Sequence, residues 1–205
     1  MTTKSLLHSS LLDNQYYNSM LVGNESFLPG AYHHLETYTV TGSPETIIEF
    51  SNLDTAYSGL YRHLQIYAVL RSDRSGAHNE PCVIRANSDS AANYSSHYVY
   101  GAGSSSGGAV VTTKTYLGIS DGVASASAAS GTFGGSIIDV ANAFNTNTYK
   151  TFKSYNGYAS PGFGLLLIGS GNWRSTNPIS SLSFEPLIGT NFLVGSTISI
   201  FGLRS

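Results

Sequence analysis

The sequence holds one literal G-x-S-x-G, Gly103-Ser104-Ser105-Ser106-Gly107, the pattern of a hydrolase nucleophile elbow. An elbow needs a strand running into a helix, so that the serine stands exposed at the helix N-terminus. Here the motif lies in a Gly/Ser stretch followed by Val110, Val111, Thr112 and Thr113, which favour strand, and it reads as chance. The six histidines are His8, His33, His34, His63, His78 and His97, and no two of them have the i, i+4 spacing of a helical zinc site. His63 and His97 would meet only across strands, and each reads as a hydrogen-bonded strand histidine. Asn87-Ser88-Asp89-Ser90 with Asn93 offers the oxygen ligands calcium takes, yet lacks the glycine and distal glutamate of an EF-hand loop. It reads as a turn capped by its own side chains. No metal site, cofactor or catalytic residue is expected.

Glu36, Glu49, Asp139 and Glu185 fall within predicted strands, where two facing carboxylates would serve glycoside hydrolysis. With so few charges in the chain, outward solvation is the expectation. Tyr98, Tyr100 and Tyr116 flank a glycine-rich stretch and are candidates for a ligand-binding tip, because tyrosine supplies contact area at low entropic cost.

Elements able to position such groups follow from composition. Charged residues make up 11% of the 205-residue chain, while it carries 22 Gly, 14 Tyr and 9 Phe. Helices want Ala, Leu, Glu and Lys; this composition suits many short strands joined by tight turns. The net charge of -2 gives no strong pull toward nucleic-acid phosphates or an acidic membrane surface, so neither is an expected partner. The single Cys82 excludes an internal disulfide and cysteine-based metal clusters. Residues 1–8 lack the apolar core of a signal peptide, and the longest apolar run, 165–168, is far short of a membrane span. The expectation is a soluble protein that folds in a reducing compartment.

From His34 onward, short alternating runs are bounded by Gly, Asn, Ser, Asp or Pro. Residues 34–40, a turn at 41–44 and residues 45–51 read as a hairpin. Between 62 and 71, Leu64, Ile66, Ala68 and Leu70 share one face, which is core, while His63, Gln65, Tyr67 and Val69 share the other. Further strands are predicted at 81–87, 94–100, 110–119, 132–140, 149–155, 164–168, 179–185 and 196–203. Their spacing suggests an all-β fold, an antiparallel two-sheet β-sandwich of jelly-roll-like form, over residues 33–205. Two small-residue stretches, 101–108 and 122–131, read as exposed loops.

Residues 1–32 break the pattern. Leu7, Leu11, Leu12, Tyr16, Tyr17, Met20 and Leu21 are scattered among Ser, Asn and Asp. Two readings stand: a short helix packed on its own domain, or an N-terminal arm lying on a neighbouring subunit, since such apolar residues must be buried somewhere.

From about residue 38 the chain resembles a group of β-rich virion proteins of tailed bacteriophages, described as tail-fibre-like, decoration or minor structural proteins. The blocks are Phe50-Ser51-Asn52-Leu53, then Tyr61 to Ile66, then Arg85 to Ser95, then Tyr149-Lys150-Thr151. Gly171 to Thr176 with Ile179 follows, and the close runs from Gly195 to Leu203. Similar chains carry an Ile-Pro turn where this one has the longer 53–60 segment. The resemblance implies a jelly-roll-like sandwich used for assembly or attachment, with no catalytic residues to carry over. The expected role is a homotrimeric capsid decoration or cement protein on the outer surface of the virion, folded in the host cytoplasm. Its partners would be the major capsid protein or other virion proteins. The alternative is a tail-fibre or head-fibre protein binding a host-surface glycan.

Overall fold

Residues 32–204 are described here from a computed structural model. The chain divides between His33 and His34, and the strands below belong to the second unit, with Tyr32 and His33 beginning the first of them. The arm candidates Leu7, Leu11, Leu12, Tyr16, Tyr17, Met20 and Leu21 lie outside the described residues.

Among the described residues, twelve strands and one short helix follow in the order β1 (Tyr32–Thr39), β2 (Ile48–Phe50), α1 (Leu53–Tyr57), β3 (His63–Leu70), β4 (Asn79–Ala86), β5 (Tyr94–Ala102), β6 (Ser105–Lys114), β7 (Leu117–Ala124), β8 (Gly134–Ala141), β9 (Lys150–Ser160), β10 (Phe163–Trp173), β11 (Leu182–Pro186) and β12 (Thr197–Leu203). They form an eight-stranded sheet, β1-β12-β3-β8-β9-β10-β5-β6, and a four-stranded sheet, β2-β11-β4-β7. Every registered strand pair is antiparallel. The fold is an all-β sandwich.

Period-two patterning makes the core. On β3 the predicted inward set, Leu64, Ile66, Ala68 and Leu70, is buried, as are Ile198 and Ile200 beside it on β12. Ile48, Phe50, Ile84, Leu182 and Phe184 of the small sheet close the core from the other side. Burying each such side chain stabilises the fold by about 1.5–3 kcal/mol before the entropic cost of ordering it.

Three local expectations are corrected. Residues 34–51 are not a hairpin: β1 joins the large sheet and β2 the small one. The connection runs beside residues 192–196, where Val40 N donates to Ser196 O at 2.8 Å and Glu45 N to Phe192 O at 3.0 Å. Residues 101–108 are exposed as expected but form a hairpin rather than a loop, the end of β5 pairing with the start of β6 and the chain turning at Gly103 with φ +56°. Residues predicted as one strand from 110 to 119 divide between β6 and β7, in different sheets.

The 122–131 stretch is likewise no free loop. Its first residues complete β7, and the rest wraps around the Arg71 guanidinium, which donates to Ala129 O and Thr132 O at 2.8 Å and Ala128 O at 3.0 Å. Ser125 is fully buried there and Ala128 nearly so.

Candidate functional site

β7 is the outermost strand of the small sheet, and it lies over β8, β9 and β10 of the large one. The seat is a strip of small and polar residues. Ser154 Oγ and Asn156 Nδ2 donate to Ile119 O at 2.5 and 2.9 Å, and Ser120 and Ser136 hydroxyls meet at 3.2 Å. Gly169 and Gly171 leave room for Ile119 and Leu117, which a Cβ would crowd. These contacts satisfy an edge carbonyl that would otherwise be buried unpaired.

Beyond β7 the large sheet continues as β10, β5 and β6. On β5, Tyr94, Ser96, Tyr98 and Tyr100 share the inward face by strand alternation. Tyr94 is core, its hydroxyl bonded to Ala86 N at 3.0 Å, and burial pushes its pKa up to about 12. Tyr98 and Tyr100 are half-buried, with ring centroids 6.3 Å apart. Tyr116, in the short link between β6 and β7, has its ring 3.5 Å from where a Cβ on Gly118 would stand. Of the three predicted tip tyrosines, Tyr98 and Tyr100 share the inner face of β5, while Tyr116 stands in the link after β6.

A fourth member was not anticipated. Asp121 of β7 acts electrostatically on Tyr98, as do Tyr100 and Tyr116. Burial, then the nearby Glu80 carboxylate, raises the Asp121 pKa. Burial, then Asp121, raises that of Tyr98. In sequence Asp121 sits between Ser120 and Gly122, with nothing to mark it; only the stacking of the sheets brings it to the tyrosines.

The opposite, outer face of the large sheet is apolar across five strands. One cross-strand row runs Tyr67, Ile137, Tyr155, Ile168, Val99, and the next runs Val69, Gly135, Gly157, Leu166, Gly101. Tyr155 is 55%, Ile168 50% and Val99 53% exposed. Because Gly135 and Gly157 face each other without side chains, the second row sinks into a groove of about 470 Å³ between Tyr67, Val69, Tyr155 and Leu166.

Most of the remaining candidates are bonded within the fold. Asp139 accepts from Gln65 Nε2 at 2.5 Å, Glu185 pairs with Arg85 at 2.6 Å, and Glu36 accepts from the Tyr57 hydroxyl at 3.1 Å. Glu49 is exposed on β2. His63 Nδ1 accepts from Asn142 N at 3.0 Å, and β8, β9 and β10 separate its strand, β3, from the β5 of His97. The 87–93 segment is a capped turn: Asp89 takes Ala91 N at 2.8 Å and Asn93 Nδ2 at 2.9 Å, while Asn87 Oδ1 takes Ser180 N at 2.7 Å. Ser105 opens β6 rather than a helix, so the G-x-S-x-G is no elbow.

No family model, curated protein or solved structure matches the chain.

Proposed function

We propose that this chain is a non-enzymatic structural protein of a tailed-phage particle, a capsid decoration or cement protein that works by covering the outer face of its eight-stranded sheet. The observation that carries the reading is that face. Monomers in solution seldom leave contiguous apolar surface beyond a few hundred Å², and larger patches mark interfaces. Here Tyr67, Val69, Tyr155, Leu166, Ile168 and Val99 are all about half exposed on adjoining strands. The charges bordering them, Asp139 and Lys153, are cross-strand neighbours of opposite sign.

The virion setting comes from the resemblance. Its partner is the major capsid protein, and self-association as a homotrimer belongs to the same reading. Imaging intact virions by cryo-electron microscopy tests it. Many ordered copies over the shell, seated on the outer sheet face, are expected; a few copies at the tail or one vertex would overturn decoration in favour of a fibre.

A further inference from the structure

A β-sheet leaves backbone N–H and C=O groups unpaired along its two outermost strands, and folds blunt those edges by shortening, charging or covering them. Among the described residues, three of the four edges are closed in this way. β2 has only three residues. β7 is seated on the large sheet, where Ser154 and Asn156 take up its Ile119 carbonyl. β1 carries the Glu36 carboxylate in its middle, bonded to Tyr57 of α1. The fourth edge, β6, runs ten residues with no proline and a single charge, Lys114, at its last position. Ala109 and Val111 are half-buried, and every other residue of the strand is exposed.

The phase of the ladder fixes which backbone groups point outward. Gly103 N donates to Gly164 O at 2.8 Å, extending the β5–β10 register. The odd-numbered residues of β5 therefore turn their backbone groups to β10, and the even-numbered ones turn theirs to β6. On β6 the partners of those even residues are Ser105, Gly107, Ala109 and Val111. Ser106, Gly108 and Val110 thus point N–H and C=O away from β5, and no described residue bonds to those groups from the open side. The two-residue turn Gly103-Ser104 gives the same phase, because it closes on a hydrogen-bonded Ala102/Ser105 pair. The open run stops just past Val111, where Arg174 Nη1 donates to Thr112 O at 3.0 Å.

We propose that this edge pairs antiparallel with the same edge of a second copy of the chain, about a two-fold axis through Gly108. That centre sets every open residue against an open residue: Gly108 meets the partner's Gly108, and Ser106 meets the partner's Val110. Each copy then donates three N–H groups and accepts three, so no outward group of the run is left unpaired. Moving the axis two residues either way sets Gly108 against the turn or against Thr112, whose carbonyl Arg174 already holds. A second copy fits because the two-fold matches a run of this length and polarity to itself and closes on a pair. It also sends the two Lys114 side chains to opposite ends, beyond the paired run, so no like charges face each other. The axis stands perpendicular to the sheet and keeps both outer faces on one side. The contact lies on the sheet's edge, apart from the face assigned to the particle, and either can fail alone. Where the chain is trimeric through that face, edge pairing joins trimers two by two.

The test combines analytical ultracentrifugation with amide hydrogen exchange read by NMR, on the full-length chain from micromolar to near-millimolar concentration. The mass should double reversibly. Over the same range the N–H groups of Ser106, Gly108 and Val110 should gain about tenfold protection, while those of Gly107 and Ala109, bonded to β5, are protected at every concentration. Ser106→Lys with Val110→Lys sets like charges across the axis and should hold the protein in its undoubled state. Ser106→Glu with Val110→Lys sets unlike charges there and should restore doubling. Within one chain the two positions lie four apart on an exposed edge, so both variants fold alike, which circular dichroism checks. An undoubled mass throughout, exchange at the three N–H groups that does not change with concentration, or equal association of the two charge variants overturns the proposal.

Discussion

The indole N–H of Trp173 donates to the Asp89 carboxylate at 2.7 Å, joining the end of β10 to the capped turn after β4. The two residues stand 84 positions apart in the sequence. Other distant strand ends meet the same way: Lys150 Nζ donates to Thr176 O at 3.3 Å, and Arg62 N to Leu203 O at 3.0 Å. Such long-range bonds tie strand ends together.

Burial pushes the Asp89 carboxyl up, but hydrogen bonds from Trp173, Asn93 and Ala91 outweigh it and hold the pKa below the ordinary value. The ionised form is therefore favoured by folding. Its contribution is present above the unfolded pKa of about 3.9 and is lost as pH falls through the folded value. Asp89→Asn should cost about 1.5–3 kcal/mol at neutral pH in urea unfolding, with the difference from the parent protein shrinking in acid.

Asp121 behaves in the opposite sense. Its raised pKa means that the folded protein favours the protonated form, so the ionised group costs stability above its unfolded pKa. Asp121→Asn should raise the urea midpoint at pH 7, with the gain disappearing below about pH 4. A midpoint that falls at pH 7 would show Asp121 to be a stabilising group instead.

Arg71 orders the segment after β7 through bonds to four backbone carbonyls, including Ala126 O at 3.4 Å. Arg71→Met leaves those carbonyls without their donor, each buried loss costing about 1–3 kcal/mol. Hydrogen exchange should show residues 126–132 losing protection, together with a lower global stability.

Tyr155 and Ile168 are adjacent on the outer face and half exposed. Tyr155→Lys with Ile168→Glu, opposite charges across the strand pair, should leave the unfolding free energy within about 1 kcal/mol of the parent. Incorporation into particles, read by gel quantification of purified virions, should fall to background. Undiminished incorporation would remove the outer face from the assembly reading.

Strand character was legible because it is local. The alternation of Leu64, Ile66, Ala68 and Leu70 against Tyr67 and Val69 needs only the period of two and one buried side, and the low charge with abundant Tyr and Gly already excluded a helical fold. The capped turn at 87–93 was legible for the same reason, since Asp89 bonds Ala91 and Asn93 within its own loop. What failed was everything set by distant chain. Residues 101–108 look like a flexible linker, yet β5 and β6 pair along that stretch, and the pairing outweighs the poor strand propensity of Gly and Ser. Residues 122–131 are ordered by a guanidinium more than fifty positions earlier. The β1–β2 connection crosses between sheets because residues 192–196 offer its hydrogen bonds. Tertiary structure alone decided the candidate sites: strand periodicity tells which residues share a face, but which strands become neighbours, and which sheet lies over which, depends on long-range pairing and packing that no local pattern encodes.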